Sequence, residues 1–340
     1  MEYLIIGFLW LSILLYLVLG GADFGAGIIE LFSRGDNRHR TRKTAYKAIG
    51  PIWEANHMWL IIAVVILFVG FPLIYSTMSI YLHIPLVVML LGITARGTAF
   101  VFRNYDAVVD EMQVVYNRIY LYSSFITPLF LGIIAGTAIS GRINPDANSF
   151  LEAYIWVWLN WFSVAIGLFT VALCGFLASI YLIGEAVDDF DKQIFTRKAA
   201  KWNVVAVGCG ALVFTAAWVD DIPLIKWVLG NPVGLTAVLA ASVSLAVLWI
   251  LVRNGKSMLP RVLAGFQASM ILLAVSYVHF PNLLIMKNGQ HLSLFKHQAP
   301  NATMTALGWA LIIGSVFILP SLYYLYYSFQ KDGFVEDAEH

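Results

Sequence analysis

The chain alternates between long apolar stretches and short polar segments over its 340 residues. A helix needs about 20 predominantly apolar residues to cross the hydrocarbon core of a bilayer. Nine stretches meet this length, and no segment between them is long enough to form a soluble domain. They are residues 3–32, 51–71, 79–101, 119–140, 154–183, 202–219, 235–252, 262–285 and 304–329. The pattern predicts an all-α polytopic membrane protein with about nine transmembrane helices, forming one integral-membrane domain over residues 1–340.

The composition supports a membrane protein and argues against one class of partner. Hydrophobic residues make up 60% of the chain and charged residues only 12%, whereas about a quarter of a soluble domain is charged. The formal net charge is only +1, while domains that bind nucleic acid carry a strong excess of positive charge. We therefore expect a chain that contacts membrane lipid and does not bind nucleic acid.

The lysines and arginines are distributed unequally between the two sides of the membrane. When the loops are counted alternately, 16 of the 21 Lys and Arg residues, Arg103 among them, lie on one side. Four lie on the other side, and Arg96 lies within a span. Positive residues accumulate in cytoplasmic loops. The densest basic segment, residues 34–43 between the first two spans, is therefore expected in the cytoplasm, with the N-terminus outside and the C-terminus inside.

Five ionisable residues lie in or beside spans, where a charged side chain is costly and marks a candidate functional site. They are Asp23, Glu30, Glu54, His57 and Arg96. The helical rise of about 1.5 Å per residue puts these groups in the cytoplasmic half of the membrane. Two interpretations stay open. Asp23, Glu54 and His57 could form a proton path open to the cytoplasm, or one of the acids could form a salt bridge with Arg96 that only fixes helix packing.

His57 raises the question of a metal or haem site. Glu54 and His57 are three residues apart and share a helix face, and such pairs ligate metal in a bundle core when other helices repeat them. The sequence contains no second Glu-x-x-His, so we expect no metal site. Axial ligation of a haem and a hydrogen-bonded packing role both stay open for His57. His57 is the only histidine well inside a predicted span, and His279 lies close to the outer end of another.

Gly21 and Gly25 form a small-xxx-small pattern in the first span. Such a pattern lets a second helix backbone approach closely, so we expect a helix contact at these two glycines. Asp23 lies between them in sequence but about 100° around the helix from its neighbours. We therefore expect Asp23 to flank this contact.

Tryptophans are concentrated near the ends of the second and fifth spans. Aromatic residues at these depths are typical of the interfacial belt of a membrane protein. A quinone headgroup site would also use aromatic side chains, and the sequence does not separate the two interpretations. The residues concerned are Trp53, Trp59, Trp156, Trp158 and Trp161.

Three segments in the first 105 residues resemble a known family. They are GADFG (residues 21–25), GPIWEANHMWL (residues 50–60) and ARGTAFVFR (residues 95–103). In this order the segments resemble subunit II of the cytochrome bd-type quinol oxidases, including their cyanide-insensitive relatives. Beyond residue 105 the resemblance rests on the number of spans and the length of the chain.

The resemblance implies a partner and a reaction. The partner is a haem-bearing subunit I with two b-type haems, one d-type haem and the quinol site. The complex, in the bacterial cytoplasmic (inner) membrane, oxidises quinol at the outer side and reduces dioxygen to water with protons from the cytoplasm. Subunit II itself is expected to bind no haem. A structural quinone and a small single-span accessory subunit are further candidates.

The resemblance also implies an architecture and two site residues. Members have two four-helix bundles plus one further, peripheral helix per subunit. The acid after the motif tryptophan, here Glu54, lies on a proposed proton route, and Asp23 is the acid of the first-span motif. This chain has Glu54-Ala55 where the family often has Asp-Gly, and His57 where many members have Glu. Both changes keep a protonatable group.

Two alternatives to this function stay open. A secondary transporter would use a broken helix near the bilayer midplane, and residues 20–27 could form such a break, although no matching break occurs in another half of the chain. A purely structural partner subunit would use Asp23, Glu54, His57 and Arg96 only to hold helices together.

Overall fold

The computed structural model describes residues 1–50, 52–105 and 112–336. Within these ranges nine helices are long and apolar enough to cross a membrane, which confirms the predicted all-α membrane protein with about nine spans. Pro51, at the predicted start of the second span, and residues 337–340 of the predicted domain lie outside the described residues. The division into two four-helix bundles plus one peripheral helix stays a prediction.

The elements follow one another in a simple order. The first span combines α1 (Glu2–Leu15), a π-helical turn (Tyr16–Gly20) and α2 (Gly21–Leu31). The other spans are α4 (Trp53–Gly70), α6 (His83–Tyr105), α7 (Met112–Ser140), α9 (Trp161–Ile183), α10 (Asp189–Val219), α12 (Pro232–Arg253), α13 (Met258–His279) and α14 (Asn301–Glu336). Shorter elements are α3 (Asp36–Ile49), α5 (Pro72–Tyr81), α8 (Phe150–Tyr154), α11 (Leu224–Val228), β1 (Asn282–Leu284) and β2 (Leu292–Ser293).

The first span is helical along its whole length. The π-helical turn Tyr16–Gly20 widens the helix by a residue, and α2 continues directly from Gly21. Residues 20–27 therefore do not form the non-helical break that the transporter alternative requires.

Several span boundaries differ from the predicted ones, because hydropathy does not record local helix signals. The third span begins at His83 and not at residue 79, since Pro72 starts a separate short helix, α5. The fifth begins at Trp161 and not at residue 154, where the Asn160 side chain caps it. The fourth and sixth begin earlier, at residues 112 and 189, because polar residues continue the same helices beyond the apolar stretch.

The eighth span ends at His279 and not at residue 285. Pro281 follows, and proline does not continue a helix. The chain then forms a two-stranded antiparallel ribbon, β1 with β2, which is a small exception to the all-α prediction. Residues beside this ribbon form backbone hydrogen bonds with two other spans. Ile285 N–H donates to the Ala138 carbonyl oxygen of α7 (2.9 Å), and Ala299 N–H donates to the Gly70 carbonyl oxygen of α4 (2.8 Å).

The helix α9 lies at the centre of the fold. It packs against α2, α7 and α10, and every residue from 170 to 180 is buried. Close approach depends on small residues, because a Cβ on Gly167 of α9 would lie 2.6 Å from the Leu129 carbonyl oxygen of α7. The same packing encloses α2 between α9 and α7, so residues 23–30 are all buried. The acids of the first span are therefore held in the protein interior.

Candidate functional site

A buried ion pair joins the first and third spans. Asp23 of α2 and Arg96 of α6 both have fully buried side chains. Arg96 donates from Nη1 to Oδ2 of Asp23 (2.8 Å) and from Nη2 to Oδ1 (2.6 Å). It also donates to the Asp23 carbonyl oxygen (3.1 Å) and, from Nε, to Oγ of Ser124 on α7 (3.1 Å). Bidentate pairs of this kind are strong and directional, so one charged centre ties three spans together.

Two aromatic rings lie against the Arg96 guanidinium. Its Cζ is 5.0 Å from the centre of the Phe24 ring and 5.2 Å from the centre of the Tyr120 ring. At this distance the electron-rich face of a ring attracts a cation. Because a charge in hydrocarbon is costly, these rings and the carboxylate together replace the water that a guanidinium has at a protein surface.

His57 of α4 lies beside the ion pair and adds a third ionisable group. Its Nε2 is 3.9 Å from Oδ2 of Asp23, which is an ion-pair distance but too long for a hydrogen bond. Its Nδ1 is 3.4 Å from the hydroxyl oxygen of Tyr16. The imidazole contacts the rings of Tyr16, Phe24 and Trp53, with centroid distances of 5.9, 5.7 and 6.3 Å. A proton on this ring would thus lie beside the Asp23–Arg96 ion pair, and the other contacts of the ring are to aromatic side chains.

Glu54 lies apart from this centre. It is in the first turn of α4, where the helix dipole favours an acid. Its side chain is exposed and has no hydrogen bond or ion pair with any residue that the structure describes. Of the residues singled out from the sequence, the structure brings together Asp23, His57 and Arg96. It places Glu54 on the surface, one helical turn before His57.

Gly21 and Gly25 face the central helix. A Cβ on Gly25 would overlap the carbonyl oxygen of Cys174 on α9, and a Cβ on Gly21 would lie 3.3 Å from the Cys174 Sγ. The two glycines let α2 approach α9 closely, while Asp23 reaches Arg96 on another side of α2.

Replacing Gly25 with Ala is expected to push α2 away from α9, because the added Cβ needs space that a backbone carbonyl occupies. Overpacking of this kind costs about 1–3 kcal/mol, measured as a lower thermal unfolding temperature in detergent. Gly208→Ala on α10 is the matched control, since nothing lies within 4 Å of a Cβ there. Equal losses in the two variants would contradict the close contact.

A second buried ion pair repeats the first. Nη2 of Arg103 is 2.7 Å from Oε2 of Glu30, with side chains 3% and 2% exposed. Glu30 follows Asp23 by seven residues and Arg103 follows Arg96 by seven, so each helix presents both members on one face. The distribution of Lys and Arg predicts that Arg103 lies in a cytoplasmic loop. This prediction is wrong, because Arg103 lies within α6 and its side chain is buried. The matching spacing of seven was the sequence signal that Arg103 belongs with Arg96.

The centre does not fit a metal ion or a haem. Among the residues that the structure describes, no group of three or more His, Cys, Asp or Glu side chains is arranged to hold a metal. The His57 ring is enclosed by aromatic rings, and its nitrogens face Tyr16 and Asp23. Neither nitrogen therefore has an open side for the iron of a haem.

The chain matches the family model of cytochrome bd terminal oxidase subunit II over residues 1–329. The chain belongs to this family. Subunit 2 of the cytochrome bd ubiquinol oxidase of Bacillus subtilis is a relative of this chain, 30% identical over 216 residues, which are 61% of each chain. Subunit 2 of the cytochrome bd-I ubiquinol oxidase of Escherichia coli K12 is 24% identical over 231 residues, covering 64% of this chain and 58% of the relative. The matches thus span about three fifths of these relatives.

The fold of this chain is similar to that of a chain in a solved bd oxidase. A chain of the enzyme from Geobacillus thermodenitrificans superposes with a TM-score of 0.76 at 20% identity, covering 96% of this chain and 98% of that chain. The similarity shows a shared fold over nearly the whole length. It extends the likeness in fold beyond residue 105, where the sequence motifs end. The family model, which matches residues 1–329, confirms the predicted resemblance to subunit II.

An apolar groove of about 470 Å³ lies on the surface of the protein between α4 and α6. Ligand sites of this size combine apolar walls with a few polar groups that fix orientation. Here the polar groups are the hydroxyls of Thr94 and Thr98, beside the Trp53 ring. The lining of the groove is therefore almost entirely apolar. The other lining residues are Ile93, Gly97, Val101 and Phe102.

Proposed function

We propose that this chain is the non-haem subunit II of a bd-type terminal oxidase. In this role it braces a haem-bearing subunit I and supplies protons from the cytoplasm. The complex oxidises quinol and reduces dioxygen to water, with the two b-type haems and the d-type haem on the partner. Family membership supports the partner. The proton supply rests on one observation, which is the position of His57 at 3.9 Å from a buried carboxylate that Arg96 already neutralises.

Asp23, His57 and Arg96 have different roles in this proposal because they differ in charge. Arg96 stays protonated in proteins, and both oxygens of the Asp23 side chain accept hydrogen bonds from it. His57 is then the group of the centre whose ring can bind and release a proton. A proton bound to its ring makes an imidazolium that the Asp23 carboxylate attracts, and its release restores the neutral ring.

Glu54 is the proposed opening of the path. It precedes His57 by three residues, a rise of about 4.5 Å along α4, and its carboxylate is exposed. An exposed acid can exchange protons with water and hold them near the ring. This assignment needs the start of α4 on the cytoplasmic side, as the distribution of Lys and Arg predicts, in a bacterial inner membrane with the N-terminus outside.

Replacing Glu54 with Gln is expected to slow oxygen consumption about tenfold, because Gln keeps the size of the side chain but does not carry protons. The complex is purified through a tag on this chain. Its absorbance spectrum gives the haem content, and quinol-driven oxygen consumption gives the turnover per haem. The control is Glu185→Gln, which removes a surface acid paired with Arg261 (2.7 Å).

Two outcomes of this experiment would count against the proposal in different ways. Unchanged turnover per haem in Glu54→Gln would remove Glu54 from the proton path. A purified complex without any haem-bearing partner would contradict the assignment of the chain to an oxidase.

The ion pair also supports a second, purely structural role. Four hydrogen bonds satisfy the Arg96 side chain, and a fully paired buried charge can specify how helices pack without any chemistry. In that case a double variant, Asp23→Asn with Arg96→Gln, would keep the turnover per haem. We favour the proton role because helix packing does not need an imidazole beside the pair.

A further inference from the structure

The His57 ring is held by a residue outside the motifs that identify the family. The Tyr16 hydroxyl oxygen lies 3.4 Å from Nδ1 of His57 and makes the one side-chain hydrogen bond of this imidazole to a described residue. Tyr16 is itself buried. Its ring meets the Phe24 ring edge to face at 6.2 Å, so packing fixes the position of the hydroxyl.

The backbone around Tyr16 places this ring. Tyr16 begins the π-helical turn that ends at Gly20, and single π turns within α-helices occur frequently at functional sites. A Cβ on Gly20 would lie 2.9 Å from two carbons of the Tyr16 ring. The Tyr16 ring therefore occupies the space that a side chain at residue 20 would need, and only glycine at residue 20 is compatible with this ring position. In this position the Tyr16 hydroxyl contacts His57 on α4.

The contacts of the ring determine which nitrogen of a neutral His57 carries the hydrogen. Nε2 faces the carboxylate of Asp23, which only accepts hydrogen bonds. A bare Nε2 would turn its lone pair towards this negative group, whereas Nε2–H turns its positive end towards it. Nδ1 is then the bare nitrogen, which can accept a hydrogen bond from the Tyr16 hydroxyl, 3.4 Å away.

Asp23 alone fixes this tautomer only weakly. Its oxygen is 3.9 Å from Nε2, beyond hydrogen-bond distance, and Arg96 cancels most of its charge. The remaining charged group nearby is Glu54, on the same helix but exposed. Among the residues that the structure describes, the buried Tyr16 hydroxyl has no other hydrogen-bond partner, so an Nδ1–H would leave the hydroxyl hydrogen unpaired, whereas a bare Nδ1 accepts it. This contact therefore favours the Nε2–H tautomer.

We propose that Tyr16 is a positioning residue that holds the neutral His57 ring in the Nε2–H tautomer. A proton that reaches the ring then binds at the bare Nδ1 and forms an imidazolium, and transfer of that proton from Nδ1 to the next proton acceptor of the path restores the neutral Nε2–H ring. Only N–H bonds form and break. The inference rests on the proposed function, because the tautomer has a consequence only if His57 carries protons.

The test is 15N NMR of the complete complex with 15N-labelled histidine, at a pH where the ring is neutral. The His57 signals are those that disappear in His57→Phe. The wild type is expected to show a bare Nδ1 and a protonated Nε2. In Tyr16→Phe, which keeps the ring and removes the hydroxyl, the signals of the Nδ1–H tautomer are expected to appear, and turnover per haem is expected to fall about threefold or more. Tyr3→Phe, at an exposed position of the same span, should change neither.

A pure Nε2–H pattern in Tyr16→Phe would overturn the inference, since Asp23 would then suffice to fix the ring. So would a wild type with its hydrogen on Nδ1. Gly20→Ala keeps the hydroxyl but displaces the ring, and it should produce the same change as Tyr16→Phe. Failure of the proposed function has a different signature, because turnover would then be normal in His57→Phe itself.

Discussion

Replacing Arg96 with Gln is expected to destabilise the protein by about 3–5 kcal/mol, because it leaves the Asp23 carboxylate buried without a counter-charge. Gln can donate at most two hydrogen bonds, whereas Arg96 donates two to the carboxylate, one to the Asp23 carbonyl oxygen and one to Ser124. The loss should appear as a lower thermal unfolding temperature and a lower yield of assembled complex.

Two further variants distinguish the cost of an unpaired buried carboxylate from the cost of losing any positive charge. Adding Asp23→Asn to Arg96→Gln removes the unpaired carboxylate, so the double variant should be more stable than Arg96→Gln alone. Lys192→Gln removes a surface charge that pairs with Asp189 at 3.1 Å, and it should change stability by less than about 1 kcal/mol. An Arg96→Gln protein as stable as Lys192→Gln would contradict the buried pair.

Replacing His57 with Phe is expected to lower oxygen consumption per haem about tenfold or more while the haem content stays normal. Phe fits among the rings of Tyr16, Phe24 and Trp53 and keeps the packing, but it does not bind a proton. The loss should therefore affect turnover and not assembly. His39→Phe, on the exposed side of α3, is the control for the loss of a histidine.

The spans were predictable from the sequence because a bilayer demands a minimum apolar length, which hydropathy records directly. Their ends were less predictable. The fifth span begins where the Asn160 side chain accepts a hydrogen bond from the Ser163 N–H (2.9 Å). A helix cap of this kind does not change the mean hydropathy of the stretch, so hydropathy alone does not locate it. The third span is separated from the second by α5, which is itself apolar.

The site was predictable as a list of residues but not as an arrangement. Asp23 and Arg96 are 73 residues apart in sequence, so only the packing of α2 and α6 around α7 brings them into contact. Glu54 and His57 differ by about 60° around α4, and at the edge of a buried face this angle suffices to put one outside and the other inside. Tyr16 carries no sequence signal for its role, because a π turn places it.

The most direct test of the proton supply is proton uptake during a single turnover with oxygen, compared between wild type and His57→Phe at equal haem content. The fully reduced complex is mixed with oxygen, and a pH-sensitive dye reports proton uptake while haem absorbance reports electron transfer. We predict that proton uptake in His57→Phe is slowed about tenfold or more, together with those electron-transfer steps that require protons. Uptake at the wild-type rate in His57→Phe would contradict the account.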